Sequence, residues 1–193
     1  MTTDPAASAA TGAGSTTGAL TTHAGQWRLD PQASKVEFSV PHFWHAIKVR
    51  GSFGQLSGHG TVTPDGSVTG QIVMDATSLD TRNKQRDKHL RSADFFNSDE
   101  HPQVVLAVTR ATATTDGRLA MVGTLQAAGV EEPVSFTADL VEAGNDAVTL
   151  RAELTVDRSR YGMTWSPMKM TAMQATGSVT ARFIRDAGEV ASS

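Results

Sequence analysis

The sequence predicts an all-β chain: a single antiparallel up-and-down β-barrel of about eight strands with one inserted α-helix. Three observations carry that expectation. Apolar and polar residues alternate with period two along most of the chain, turn-forming residues punctuate the alternation, and only the segment 78–96 departs into helical character. Period two with one polar face means strands with one side buried. A meander of that length leaves two unpaired edges unless it closes on itself.

The alternation starts at Gln26. Val36, Phe38 and Val40 share one face, with Lys35, Glu37 and Ser39 on the other. The stretch from Ala46 to Thr63 reads as extended chain with a bend at Gly51 or Gly54. Pro64-Asp65-Gly66 then turns into Val68, Ile72 and Met74. After the helical segment the pattern resumes at Val104, Leu106 and Val108, and Asp116-Gly117 leads to Leu119, Met121 and Leu125. Val134, Phe136, Ala138 and Leu140 follow, and Gly144-Asn145-Asp146 opens the cleanest run, Val148, Leu150, Ala152, Leu154 and Val156. Val179, Ala181 and Phe183 close the set.

The helical segment is basic. Arg82, Lys84, Arg86, Lys88 and Arg91 surround one acid, Asp87, and the segment ends in Phe95-Phe96. Asp80 or Thr81 is a fair N-cap, which predicts a helix over 82–91. Leu79, Leu90, Phe95 and Phe96 would pack it on the barrel as a plug. Its charges fit an anion-attracting rim, or simply a solvated face with Asp87 and Arg91 paired four residues apart.

With 193 residues, 39% hydrophobic and 19% charged, the chain suits one ordinary domain. The expected boundaries are a disordered tail over 1–25, the barrel over 26–186 and a flexible end over 187–193. A formal charge of −3 argues against general nucleic-acid binding. The absence of cysteine excludes disulfides, thiolate metal sites and cysteine nucleophiles. Residues 1–25 are rich in Thr, Ala, Gly and Ser and offer no apolar run of a secretory leader, so a cytoplasmic location is expected. No stretch approaches the roughly 18–20 apolar residues of a membrane helix.

An eight-stranded barrel can hold one small ligand if its side chains do not fill it. Gly70, Gly123, Ala138, Ala152 and Ala181 sit at inward positions, which leaves room or merely fits the taper. The shared phase nominates Phe38, Ile72, Leu106, Phe136, Leu150 and Phe183 as lining an elongated apolar cavity. No metal is expected. His42 and His45 are three apart and point to opposite faces of a strand, while His59, His89 and His101 are scattered. Phosphate-loop, nucleophile-elbow and dinucleotide motifs are missing, so no cofactor and no catalytic residues are assigned. The stretch Asp157 to Trp165 brings two guanidiniums and two aromatics to a strand end, with Arg158 a candidate tie between strand and loop. Met168, Met170 and Met173 suit an adaptable apolar site or ordinary gap-filling.

In their order and spacing these residues resemble the YceI-like family of lipid- and polyisoprenoid-binding proteins, from about Trp27 to Arg185. The resemblance rests on Trp27, Leu29 and Asp30 with Ser34 and Phe38, on Val40-Pro41-His42, and on Val49-Arg50-Gly51-Ser52-Phe53. It continues through Ser78, Thr81, Asn83, Arg86-Asp87, His89-Leu90, Asp94-Phe95-Phe96 and His101-Pro102 to Arg158, Tyr161-Gly162 and Trp165. Two departures stand out: many members carry a signal peptide, and the Met-rich stretch Ser166 to Gly177 does not follow the family pattern. The resemblance implies a lipocalin-like barrel, an apolar cavity for an isoprenoid or other long-chain lipid, and no catalytic residues. A phosphorylated headgroup would then meet Arg86 at the mouth, together with His42 or Arg158. Two other classes stay open: an enzyme acting on an amphipathic lipid through His42 or His89, and a stress-related interaction protein with a filled barrel.

Overall fold

Strands with one dry face bury it most economically by rolling it inward. The computed structural model describes residues 20–42, 47–166, 168 and 171–186. Its eleven strand segments form one continuous antiparallel sheet. They are β1 (Gly25–Leu29), β2 (Lys35–His42), β3 (Ile47–Phe53), β4 (Leu56–Val62), β5 (Val68–Asp75), β6 (Leu79–Asp80), β7 (Gln103–Ala113), β8 (Leu119–Ala127), β9 (Val130–Ala143), β10 (Ala147–Asp157) and β11 (Gln174–Arg185). Helix α1 (Lys84–Arg91) lies between β6 and β7.

The sheet closes. Strands β1, β4, β5, β7, β8, β9, β10 and β11 are neighbours in that order, and β11 returns to β1 through Trp27↔Arg185 and Leu29↔Phe183. Further along, β11 pairs with β2 (Val179↔Val36) and β2 with β3 (Phe38↔Gly51). β1 with β2, and β3 with β4, are thus two staves each broken once, which makes eight staves in up-and-down order. The second break falls at Gly54-Gln55, where the Ser78 hydroxyl accepts from both backbone N–H groups at 3.1 and 3.0 Å. A hydroxyl there satisfies donors that the interrupted ladder releases.

The inward phase read from the sequence is the one that packs. Ile72, Met74, Val104, Leu106, Leu154 and Val179 belong to one core cluster, and Ala111, Leu119, Met121, Ala138 and Ala152 to a second. Register shifts at Val108/Arg110 and Thr149/Leu150 mark bulges that bend the wall. Two of the small inward residues serve close backbone approach, Gly70 while also lining interior space. A Cβ on Gly123 would lie 1.8 Å from the Ala107 carbonyl oxygen, and one on Gly70 would lie 2.8 Å from that of His59. These glycines let neighbouring backbones approach. Ala138, Ala152 and Ala181 do face interior space.

The helix starts later than expected. Asp80 instead accepts from the Arg82 N–H at 2.6 Å, and Arg82 takes a left-handed φ of 61°. The buried Asp87 carboxylate holds Thr81, accepting from its N–H at 2.9 Å and its hydroxyl at 2.5 Å. With Thr81 pinned in extended chain, Asn83 becomes the N-cap and accepts from the Arg86 N–H at 3.0 Å. The expected pairing of Asp87 with Arg91 gives way too, because Arg91 donates to the Leu79 carbonyl. At the other boundary, residues 20–25, read as the end of a loose tail, make defined contacts. Leu20 packs on the second core cluster, and the buried Trp27 donates its Nε1–H to the His23 carbonyl at 2.9 Å.

Candidate functional site

Two cavities stand out among the described residues. The larger, of about 610 Å³, lies at the end of the barrel covered by α1. The smaller, of about 260 Å³, lies toward the other end beneath Leu20 and His23. Leu106 and Val179 line both. They belong to two rows of core side chains, Ile72–Leu106–Leu125 and Ala152–Val179–Val36, aligned by the sheet register. Of the six nominated lining residues, Phe38 faces the helix-end chamber and Leu106 both, while Ile72, Phe136, Leu150 and Phe183 face the far chamber.

The helix-end chamber is walled by apolar side chains, among them Val36, Phe53, Met74, Val104, Leu154 and Met163. Phe38, Phe53 and Phe96 form a cluster with ring centroids 5.7 to 6.2 Å apart, which joins β2 and β3 to the turn after α1. Gly51 makes it possible, since a Cβ there would stand 2.4 Å from the Phe38 ring. A second group packs His89 against Phe95 and Trp165, at 5.1 and 4.5 Å, with its ring edge-on to both and those two rings 5.8 Å apart. Such pairs are each worth about 0.5–1.5 kcal/mol beyond simple burial. They seat the helix over the chamber.

Polar groups enter the wall mainly from the helix and from the turn after β10. Arg86 lines the chamber half-buried, with Nε donating to the Thr81 hydroxyl at 2.8 Å and Nη2 to the Thr81 carbonyl at 2.9 Å. Arg158 is buried at 4% exposure. Its Nε donates to the Ala172 carbonyl at 2.9 Å, Nη1 to that of Met163 and Nη2 to that of Trp165 at 2.9 Å. It ties strand to loop and also lines the chamber. Burial draws its guanidinium below the ordinary range, yet an arginine stays charged through such a shift. The short 3-10 turn Arg158–Tyr161 is capped by Asp157, which accepts from the Ser159 N–H at 2.9 Å and hydroxyl at 2.6 Å; these bonds hold its carboxyl below the usual range. The side chain of His42 lies outside the described residues.

His89 Nε2 sits 2.9 Å from Asp94 Oδ2, a histidine–carboxylate pair at the chamber wall. Of the methionines read as adaptable, Met168 is exposed, Met173 half-buried, and Met170 lies outside the described residues. Met74 and Met163 face the chamber instead. Met74 lay in the inward alternation with Val68 and Ile72, and Met163 and Trp165 lay in the unusual stretch after Asp157. Among the described residues no cluster of three or more His, Asp or Glu could hold a metal ion, and no helix is long and apolar enough to cross a membrane.

This closed barrel with a helix over one end has known relatives. The YceI-like domain family matches residues 27–184. The chain belongs to the YceI-like family. A UPF0312 protein of Yersinia enterocolitica is 31% identical over 142 residues, covering 69% of this chain and 73% of that protein. A UPF0312 protein of Vibrio campbellii is 30% identical over 115 residues, covering 58% of this chain, so that the match spans only 60% of that relative's length. Among solved structures, Burkholderia cenocepacia BcnA superposes with a TM-score of 0.71 at 19% identity, covering 80% of this chain and 98% of that one. A polyisoprenoid binding domain from Saccharophagus degradans gives 0.68 at 14% identity, covering 83% and 98%. At these identities the structures speak to the YceI-like fold alone.

Proposed function

We propose that this YceI-like protein is a non-catalytic carrier that holds the hydrocarbon tail of an isoprenoid or similar long-chain lipid in the helix-end chamber. The observation that carries the reading is the chamber itself, about 610 Å³ of space behind an almost wholly apolar wall. A filled barrel would have no such space. An apolar cavity of about 150 Å³ accommodates benzene, so one about four times larger suits roughly 24 carbon atoms. Each buried methylene contributes about 0.8 kcal/mol. A tail of that length offsets its ordering costs without many polar contacts. The family match and the polyisoprenoid-binding relative of the same fold support the ligand class.

Asn83, Gln85 and Trp165 both line the chamber and are exposed, so they mark its rim. A headgroup leaving there passes Arg86, the helix cation in the wall. His89 and Asp94 are the one pairing that favours an enzyme. Native mass spectrometry after purification from the native host, with lipid extraction, should show a bound isoprenoid-type lipid recovered chemically intact. A C20 isoprenoid alcohol should also bind one to one. Conversion of that alcohol or its phosphate to a product, abolished by His89→Phe, would replace the carrier reading with the enzymatic one. Absence of saturable binding would remove both.

A further inference from the structure

The outer surface at the helix end carries apolar groups that the chamber does not use. Met168 is 81% exposed, the most open large apolar side chain among the described residues, and Trp165 is 40% exposed. Both stand on one loop at the mouth. Trp165 and Thr171 line the chamber, and the Ser166 hydroxyl closes the loop, donating to the Thr171 carbonyl at 2.9 Å and accepting from its N–H at 3.1 Å. Met168 lies within that loop with a left-handed φ of 49°. Non-glycine residues seldom take that conformation, and burial does not explain it here, because the side chain faces water.

Cations flank this loop on two elements. His89 of α1 packs on Trp165 at 4.5 Å, and on the same helix Lys84 and Lys88 are exposed and stay out of the chamber wall. On β3, Lys48 and Arg50 are exposed on either side of the chamber-lining Val49. Residues 80–94 hold five cations against three acids, a positive surplus in a chain of formal charge −3. Of those acids, Asp87 is buried on Thr81 and Asp94 meets His89. Asp99, Glu100, Glu131 and Glu132 sit toward β7 and β9, and β9 is directly across the closed barrel from β3. The positive side of the mouth is therefore the side of β3, α1 and the Trp165 loop.

An exposed tryptophan and methionine flanked by lysine and arginine match one surface chemistry, an apolar interior beneath an anionic headgroup layer. We propose that this face docks the barrel mouth on an anionic lipid bilayer, with Trp165 and Met168 entering the headgroup layer and Lys48, Arg50, Lys84 and Lys88 lying against its charge. The face stands whether or not the chamber is occupied; that cargo passes through it rests on the carrier reading.

The test uses the full chain and vesicles of phosphatidylcholine, alone or mixed with phosphatidylglycerol, neither holding an isoprenoid. Sedimentation should show binding about tenfold tighter or more to the anionic vesicles, and high salt should release the protein. Lys84→Gln with Lys88→Gln should weaken vesicle binding about tenfold while a C20 isoprenoid alcohol binds as before, since neither lysine lines the chamber. Arg110→Gln with Arg151→Gln removes the same charge from exposed positions on β7 and β10 and should have little effect. Met168→Asn suits the left-handed backbone and should weaken vesicle binding about threefold. Spin-labelled lipid in the vesicles should broaden the Trp165 indole N–H signal and spare that of the buried Trp27. Equal binding to both vesicles, an equal loss in the Arg110 and Arg151 pair, or broadening at Trp27 instead of Trp165 would each overturn the face. A full lysine effect with none from Met168→Asn would also overturn it, making the face a site for a soluble polyanion. Vesicle binding without alcohol binding would remove the carrier reading alone, and alcohol binding without vesicle binding the docking face alone.

Discussion

Replacing Arg158 by Met removes a guanidinium that ties three carbonyls while keeping most of its aliphatic volume. The side chain is 4% exposed, and its three nitrogens reach Ala172, Met163 and Trp165. A hydrogen bond from a charged donor contributes about 1.5–3 kcal/mol. The three do not add in full, because Trp165 is exposed and water recovers part of the loss at its carbonyl. A net cost of about 3–5 kcal/mol follows, in line with other broken buried polar networks. For a chain of this size that is a fall in Tm of roughly 10 °C. Urea denaturation followed by far-UV circular dichroism should show the midpoint falling at unchanged slope. Because Met163 and Trp165 line the helix-end chamber, affinity for a C20 isoprenoid alcohol should fall at least tenfold. Arg158→Lys supplies the control, since a point charge cannot span three carbonyls and should recover only a minor share. A loss below about 1 kcal/mol in Arg158→Met, with binding unchanged, would show that the loop holds itself and refute the reasoning.

Arg86→Ala should weaken a phosphorylated isoprenoid more than the corresponding alcohol, measured by competition binding; equal losses with a lower Tm would make Arg86 only the anchor of Thr81. Asp157 has a folded pKa below its unfolded value, so its contribution to stability is present above about pH 3.8 and is lost as pH falls through the folded value. Asp157→Asn should therefore flatten the acid limb of a Tm-versus-pH curve below pH 3.8 and also lower the plateau, since the cap is weakened. Gly123→Ala drives a methyl to 1.8 Å from the Ala107 carbonyl oxygen and should cost about 3 kcal/mol or more, read as a lost or much lowered thermal transition.

The barrel was legible because period-two alternation is a backbone property that tertiary contacts reinforce here. Val148 to Val156 alternates in sequence and faces inward in space for that one reason. Which end of the interior each side chain faces was not legible. Phe38 and Phe136 have the same phase, and only the stagger of the staves puts them in different chambers. The helix start was missed because Asp80 and Thr81 are ordinary caps by residue type. What displaced them was Asp87, six residues downstream of Thr81, whose buried carboxylate holds Thr81 out of the helix. The cover of Leu20 and His23 was hidden in a compositionally flexible segment, since one leucine in a polar run gives no periodicity to read.

The helix end shows how a polar sequence can frame an apolar site. Asp80, Asp87, Arg86, Arg91 and Arg158 look like a charged mouth when read along the chain. In space Asp80 bonds the Arg82 amide, Asp87 and Arg86 converge on Thr81, Arg91 reaches the Leu79 carbonyl, and Arg158 holds three more. Their charge serves backbone geometry, fixing where the helix begins and where Phe95, Phe96 and Trp165 stand. A wall held in place this way can itself remain apolar. On the proposed carrier reading, selectivity in the helix-end chamber would follow from its length and shape, and Arg86 would be the cation that a charged headgroup passes.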